Sequence, residues 1–181
     1  MMATTKEMRF LVLALPNVPW NDYLASIRNL EDLGIDVVGV ADHFVDWTNP
    51  PRPWYEAWTL LGAMARETKR IRLTTTVSQI PLRLPAMFAR QALTVDHLSD
   101  GRVELGLGIG LPIDPSYEMM GVPNWTPKER VDRFGEYVEI VDQMLSNEVT
   151  TYKGRYYEVE GAVMNPRPVQ SPRPPLTIAA M

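Results

Sequence analysis

An acid and an imidazole stand side by side where a buried strand should end. The segment VGVADHFVDW is apolar from Val38 to Ala41, and Asp42 and His43 follow directly. The pair could ligate a metal, form a catalytic dyad or lie hydrated in a loop. Histidine changes its charge near neutral pH, which suits a proton donor or acceptor. Adjacent side chains point to opposite sides of a strand end, so one of them can face a ligand while the fold holds the other.

A metal site is poorly supported by the rest of the sequence. A catalytic zinc takes three protein ligands, whereas the chain has two histidines and no cysteine. The lack of cysteine also excludes disulfides, iron–sulfur clusters and thiol nucleophiles. The second histidine, His97, falls at the end of a predicted helix, on the rim opposite His43. We therefore predict no metal and a structural role for His97.

Three glycines alternate in the segment GLGIG, at Gly106, Gly108 and Gly110. They could remove side chains from one face of a strand end so that a flat ligand approaches the backbone, or they could relieve crowding inside a closed sheet. The spacing GxGxG and the absence of an immediately following helix distinguish this segment from a dinucleotide-binding fingerprint. Both interpretations stay open.

Other polar and aromatic residues near strand ends also allow two interpretations. Arg83 could neutralise a bound anion or pair with an acid. Among the threonines of TTTV, Thr76 stands at the carboxyl end of a strand and is the one we expect to reach a ligand. Three tryptophans around the second loop could form an apolar wall for a substrate or staple a long loop; they are Trp47, Trp54 and Trp58.

The elements that must position these residues alternate between strand and helix. Five apolar segments predict strands, four of them followed by helices: MRFLVLAL, IDVVGVA, IRLTTTV, VELGLGIG and LTIAA. The first of them, MRFLVLAL, is almost entirely apolar, which predicts a strand covered on both faces. The strands start roughly thirty residues apart, as in βαβ units. An open doubly wound sheet and a (β/α)8 barrel both fit, and in either one the ligand site lies at the carboxyl ends of the strands.

The helix before the fifth strand carries its own start signal. Thr126 and Glu129 form a capping box around Pro127. Its predicted buried face consists of Val131, Phe134, Val138, Val141 and Leu145. The following segment EVTTYKGRYYEV predicts a hairpin that turns at Lys153 and Gly154.

Composition narrows the class of protein and partner. The 181 residues are 45% hydrophobic and 22% charged with a net charge of −4, which is typical of one globular domain. The sequence has no basic cluster for nucleic acid and no apolar run of roughly 18 residues for a membrane span. The first ten residues lack the apolar core of a secretory signal. We expect a cytoplasmic protein with a small-molecule substrate.

Several segments together resemble a known family. VADHF, TTTVSQIPLRLPAMFARQALTVDHLSDGRVELGLGIG and the later YEMMGVP and ERVDRFGEYVEIVDQML are similar to the bacterial luciferase-like monooxygenase superfamily, particularly its deazaflavin-dependent branch. The resemblance runs from Met8 to Ala180. It implies a (β/α)8 TIM barrel that holds reduced flavin mononucleotide (FMN) or the deazaflavin coenzyme F420 at the carboxyl ends of the strands.

The resemblance also assigns roles to residues. It implies that His43 is catalytic beside the reactive ring, with Asp42 as its neighbour. It further implies a cis peptide between Thr76 and Val77 that borders the ring. The other residues implied to border the cofactor are Gln79, Gly108, Ile109 and Gly110.

One departure from the family bears on the substrate. Dehydrogenase members that place a carboxylic acid just after the glycine strand have no counterpart here, where Leu111 and Pro112 stand. A sugar-phosphate dehydrogenase is therefore disfavoured. The function we predict is an oxidoreductase or monooxygenase that works by hydride transfer or oxygen activation. The alternative is a non-catalytic flavin-binding or assembly partner.

The length of the chain predicts an incomplete barrel. Eight strands and helices take roughly 250 residues, whereas residues 1–181 carry five predicted strands. We expect one luciferase-like barrel domain that lacks its C-terminal strands and helices. Its first and last strands would expose backbone and apolar side chains, which favours self-association into a homo-oligomer. In barrels the loops after the last two strands usually bind a ligand's phosphate. Without those loops we expect weak or absent cofactor affinity and no activity from this fragment alone.

Overall fold

The computed structural model describes residues 8–179 and shows an α/β fold with parallel strands. Ala180, the last residue of the family resemblance and of the predicted fifth strand, lies outside the described residues, as do the first seven. The strands are β1 (Leu11–Ala14), β2 (Val37–Val40), β3 (Arg72–Thr75), β4 (Ser78–Gln79), β5 (Val103–Gly108), β6 (Val149–Lys153), β7 (Glu158–Val163) and β8 (Leu176–Ile178). The α-helices are α1 (Trp20–Asp32), α2 (Ala57–Glu67), α3 (Pro85–Leu98), α4 (Ser116–Met120) and α5 (Pro127–Ser146).

The main sheet is parallel, as predicted, and its strands lie side by side in chain order, as in a (β/α)8 barrel. β1 pairs with β2, β2 with β3, and β3 with β5, all parallel. β8 pairs with the other edge of β5, also parallel. β3 meets β5 at Val103 and Glu104, whereas β4 meets it at Leu107 and Gly108. β3 and β4 are therefore two segments of one strand that bulges at Thr76–Val77.

The core lies between this sheet and α2, α3 and α5. β2 and β5 are buried along their whole length, which explains their almost unbroken apolar sequence, because a central strand in a parallel sheet is covered on both faces. Leu61, Met64 and Phe88 are among the side chains that cover the sheet from α2 and α3, each with no exposed surface. The carboxyl ends of the strands thus belong to a sheet that is packed against helices.

Helix α5 begins as predicted, but its buried face differs from the prediction. Thr126 caps it by accepting a hydrogen bond from the Glu129 N–H at 3.3 Å, and Pro127 opens it. Val131, predicted to be buried, is 60% exposed. In the first turn Arg130 points inward instead, towards the end of β5. The buried face consists of Arg130, Tyr137, Ile140, Val141, Met144 and Leu145.

The first strand also corrects a prediction. β1 was expected to be covered on both faces, yet Leu11 and Leu13 are 47% and 46% exposed. Among the described residues β1 pairs only with β2. A strand with one neighbour and an uncovered face exposes apolar side chains that a central strand would bury.

The predicted hairpin is present as β6 and β7, which pair antiparallel. The Gly154 N–H donates to the Tyr157 carbonyl oxygen across the turn at 2.9 Å. The hairpin packs on α5, where Glu136 accepts hydrogen bonds from the main chain at Arg155, Tyr156 and Tyr157. Within residues 8–179 no helix combines the length and the apolar character that a membrane crossing requires.

Candidate active site

A cavity of about 210 Å³ lies at the carboxyl ends of the strands. It brings together every predicted site residue except Asp42, although these residues come from three separate parts of the chain. Its lining consists of His43, Thr76, Val77, Gln79, Gly108, Ile109, Gly110, Leu111 and Ala179. Within residues 8–179 no group of three metal-ligating side chains lies close together.

Asp42 points away from this cavity. It is 2% exposed, and its carboxylate accepts hydrogen bonds from both terminal nitrogens of Arg83, one of them at 3.0 Å. Arg83 also pairs with Glu56 at 3.1 Å. Arg83 therefore pairs with acids, and the Asp42 carboxylate is held by the fold.

The acid that contacts His43 is Asp114. His43 Nδ1 lies 2.6 Å from Asp114 Oδ2. Asp114 arrives on the loop after β5, and its side chain has no exposed surface. Its other oxygen accepts from the Ser116 N–H at 2.8 Å, which is the short-range pattern of an aspartate just before a helix. The run Asp-Pro-Ser is the signal of that turn in the sequence, but it does not reveal the contact with His43.

The surroundings of Asp114 keep it ionised. Burial by itself would raise the pKa of the Asp114 carboxyl. The hydrogen bonds from His43, Ser116 and Gln79 outweigh burial and hold that pKa well below its usual range. Asp114 is therefore a carboxylate, and an acceptor only, at neutral pH.

Gln79 joins His43 to a second layer of polar side chains. Its amide nitrogen lies 2.8 Å from the Asp42 carbonyl oxygen and 2.9 Å from Asp114 Oδ2. Its amide oxygen accepts a hydrogen bond from the Tyr117 hydroxyl. Burial raises the pKa of Tyr117 although Arg130 opposes the shift, so the hydroxyl stays protonated and can donate.

Arg130 anchors the backbone that borders the cavity, and it was not predicted from the sequence. It has no exposed surface and forms no ion pair within residues 8–179. Its guanidinium donates to the carbonyl oxygen of Ile109 at 2.8 Å and that of Trp125 at 3.0 Å, and it lies 4.7 Å from the centre of the Tyr117 ring. This buried cation links α5 to the end of β5.

None of the three tryptophans around the second loop lines this cavity. Trp58 is buried and donates to Ser78 Oγ at 2.9 Å, and Trp54 donates to the His43 carbonyl oxygen at 2.8 Å. Trp54 thus holds the second loop in place, whereas Trp58 joins α2 to β4. Trp47 stacks on the His43 ring, with centroids 5.4 Å apart and planes 17° apart, so it covers one face of the imidazole.

The glycines of β5 make room for the bulge of the neighbouring strand. A Cβ on Gly106 would lie 2.0 Å from the Thr75 carbonyl oxygen, and one on Gly108 would lie 2.5 Å from Val77 Cγ2. Relief of crowding therefore explains both positions. The Thr76–Val77 peptide between these contacts is cis, as the family resemblance implies. Gly110 has a φ of +74°, a conformation that side chains with a Cβ rarely adopt.

Comparison with known proteins points to the same family as the sequence resemblance. A family model described as luciferase-like monooxygenase matches residues 8–181. An F420-dependent glucose-6-phosphate dehydrogenase from Amycolatopsis mediterranei is 34% identical over 144 residues, which are 77% of this chain and 42% of that protein. An F420-dependent glucose-6-phosphate dehydrogenase from Segniliparus rotundus is 35% identical over 139 residues, which are 75% of this chain and 40% of that protein.

Two solved structures have the same fold. An F420-dependent secondary alcohol dehydrogenase in complex with an F420–acetone adduct superposes with a TM-score of 0.83 at 25% identity, over 94% of this chain and 51% of that one. The oxygenating constituent of 3,6-diketocamphane monooxygenase from Pseudomonas putida, in complex with FMN, gives a TM-score of 0.73 at 21% identity, over 94% and 51%. The chain thus spans about half the length of these enzymes.

Proposed function

The chain belongs to the luciferase-like monooxygenase family, and from that membership we propose that it forms the cofactor-facing part of a flavin- or deazaflavin-dependent oxidoreductase for a small organic substrate. One observation carries the proposal. His43, paired with the buried carboxylate of Asp114, borders a cavity whose other walls are the Thr76–Val77 bulge and the backbone of residues 108–110. A proton-transferring group thus stands beside a largely apolar recess.

The lining of the cavity fits a planar ring better than a charged group. Val77, Ile109 and Leu111 offer apolar contacts, while His43, Thr76 and Gln79 supply a few polar atoms. Within residues 8–179 the lining includes no lysine or arginine. A flavin or deazaflavin bound there would supply hydride transfer or oxygen chemistry. His43 donates or accepts a proton at Nε2. Trp47 shields one face of the imidazole from water.

Both cofactors are supported by relatives. The Amycolatopsis relative is named as F420-dependent, and the alcohol dehydrogenase of the same fold holds an F420–acetone adduct. The camphane monooxygenase of the same fold was solved with FMN. Both FMN and F420 are therefore candidate cofactors, and we propose no particular substrate. The described strands supply the ring-facing part of one barrel domain.

Titration with ring-bearing ligands tests the proposed site. We expect FMN and riboflavin to bind with dissociation constants weaker than about 1 μM. The two constants should lie within about threefold of each other, because the described part of the lining has no cation that could bind the phosphate of FMN. F420 is titrated in parallel. Quenching of the fluorescence of each ligand provides the measurement.

Two substitutions at one position locate the binding. Ala179 lines the cavity, so Ala179→Trp fills much of it and should weaken riboflavin binding at least about tenfold. The matched variant Ala179→Ser should bind as the unaltered protein does. Absence of saturable binding by riboflavin, FMN and F420 would contradict the proposal, as would equal affinity in Ala179→Trp.

Self-association is part of the same proposal. The exposed Leu11 and Leu13 of β1 support it, because an uncovered edge strand with apolar side chains invites pairing with another chain. We expect the apparent mass in size-exclusion chromatography with light scattering to rise with protein concentration. Leu13→Lys should shift the protein towards monomer. A constant monomer mass for the unaltered protein would refute a homo-oligomer.

A further inference from the structure

The two ring nitrogens of His43 have different neighbours. Nδ1 lies 2.6 Å from Asp114 Oδ2 and 3.0 Å from Gln79 Nε2. Nε2 forms no hydrogen bond with any of residues 8–179. A neutral imidazole has one donor nitrogen and one acceptor nitrogen. The neighbours of Nδ1 therefore decide which nitrogen carries the proton.

These neighbours favour opposite tautomers. Asp114 is ionised and can only accept, so it requires a proton on Nδ1. The nitrogen of the Gln79 amide faces the Asp42 carbonyl oxygen and the Asp114 carboxylate, both of which accept, so this atom is an NH2 donor. Towards Nδ1 it would favour the tautomer with a bare Nδ1. The amide cannot turn over without loss, because the Tyr117 hydroxyl donates to its oxygen.

The shorter contact with the charged partner decides the competition. A charge-assisted hydrogen bond is roughly twice as strong as a neutral one. The two N–H groups of Gln79 already have acceptors at 2.8 and 2.9 Å. We propose that Asp114 is the positioning residue of this site, which holds His43 as the Nδ1–H tautomer and leaves Nε2 as the basic nitrogen available to the cavity. Without Asp114, Gln79 donates to Nδ1 and the tautomer inverts.

The tautomer has a catalytic consequence that rests on the proposed function. With Nδ1 protonated, Nε2 can accept a proton from a substrate hydroxyl, and the buried carboxylate stabilises the imidazolium that results. With the inverted tautomer, Nε2–H can only donate, and the ionic partner is lost. In a histidine–aspartate pair of known mechanism, the wrong tautomer costs about 10⁴ in kcat.

Nitrogen NMR measures the tautomer without any cofactor. The chain has only two histidines, so histidine labelled with ¹⁵N gives two sets of ring signals, and His97→Gln assigns them. His97 Nε2 lies 2.8 Å from the Arg167 carbonyl oxygen, which can only accept. We therefore expect opposite tautomers at a pH where both rings are neutral, Nδ1–H for His43 and Nε2–H for His97. A spectrum with His43 as Nε2–H overturns the proposal without any substitution at the site.

Removal of the carboxylate should invert the tautomer. Asp114→Leu keeps a similar volume without an acceptor, and we expect His43 to become Nε2–H. Asp96→Asn is the matched control, because Asp96 is a buried acceptor for Val169 and Gln170 at the end of α3; His43 should stay Nδ1–H. Should Asp114→Leu not fold, Asp114→Asn leaves one acceptor oxygen for the donors around it and should populate both tautomers. A folded variant of either kind that keeps Nδ1–H alone contradicts the proposal.

Turnover separates this proposal from the proposed function. In the complete enzyme, Asp114→Leu should lower kcat by roughly 10²–10⁴-fold while the affinity for the cofactor stays unchanged. If the unaltered protein binds neither FMN nor F420, the proposed function fails and the tautomer result stands by itself. If the tautomer inverts but kcat does not change, the positioning role is wrong and the proposed function stands.

Discussion

Replacement of His43 by alanine should lower the turnover of the complete enzyme by roughly 10²–10⁴-fold, the usual contribution of a positioned general acid or base. His43 is the titratable side chain in the cavity lining, and its Nδ1 is held by Asp114. In His43→Ala a water molecule could still transfer a proton, but Asp114 would not hold it in the position of the imidazole. The measurement is kcat with saturating cofactor and substrate, together with the dissociation constant of the cofactor.

His97→Ala is the matched control for this prediction. His97 is exposed and its ring contacts the Arg167 carbonyl oxygen, so its loss should leave kcat within about twofold. A decrease in cofactor affinity in His43→Ala with unchanged kcat would show that His43 only lines the pocket. Unchanged kcat and unchanged affinity would give His43 a purely structural role.

The second large effect concerns stability. Gly106→Ala should lower the free energy of unfolding by about 3 kcal/mol, at the upper end of the cost of overpacking a core. The added methyl carbon would lie 2.0 Å from the Thr75 carbonyl oxygen. That oxygen belongs to a backbone held on both sides by the sheet, so neither strand can move aside without loss of pairing. Equilibrium unfolding in urea, followed by circular dichroism, measures the change.

Gly135→Ala provides the matched control. Gly135 lies in the middle of α5, and nothing lies within 4 Å of a Cβ built there. The same substitution should therefore stabilise the protein by about 0.8–1 kcal/mol through helix propensity. If Gly106→Ala were as stable as the unaltered protein, relief of crowding would not explain the glycine. The other interpretation, that the glycine lets a flat ligand approach the backbone, would then be favoured.

Local sequence patterns were reliable where one element carries its own signal. The parallel sheet was predictable because β2 and β5 are covered on both faces and have almost unbroken apolar sequences. The start of α5 was predictable because Thr126, Pro127 and Glu129 act within one turn. The bulge at Thr76–Val77 followed from family resemblance and not from composition or periodicity.

The burial of side chains at the start of α5 and along the edge strand β1 was less predictable. Val131 follows the apolar spacing of α5 but is exposed, whereas the charged Arg130 beside it is buried. Spacing indicates which residues share a helix face, but not how far the sheet beneath that face extends. The apolar sequence of β1 likewise does not reveal that one of its faces stays uncovered in residues 8–179.

The apolar segments of the chain place His43, the bulge and the glycines of β5 at strand ends, and from this alone we could predict that they share one edge of the sheet. Parallel strands impose that arrangement, because every strand of the set ends on the same side. The acid that contacts His43 could be identified only from the folded chain. Asp42 is adjacent in sequence, but neighbouring side chains at a strand end diverge, and Arg83 takes its carboxylate. Asp114 is 71 residues away and reaches Nδ1 because the loop after β5 folds back over the strand ends.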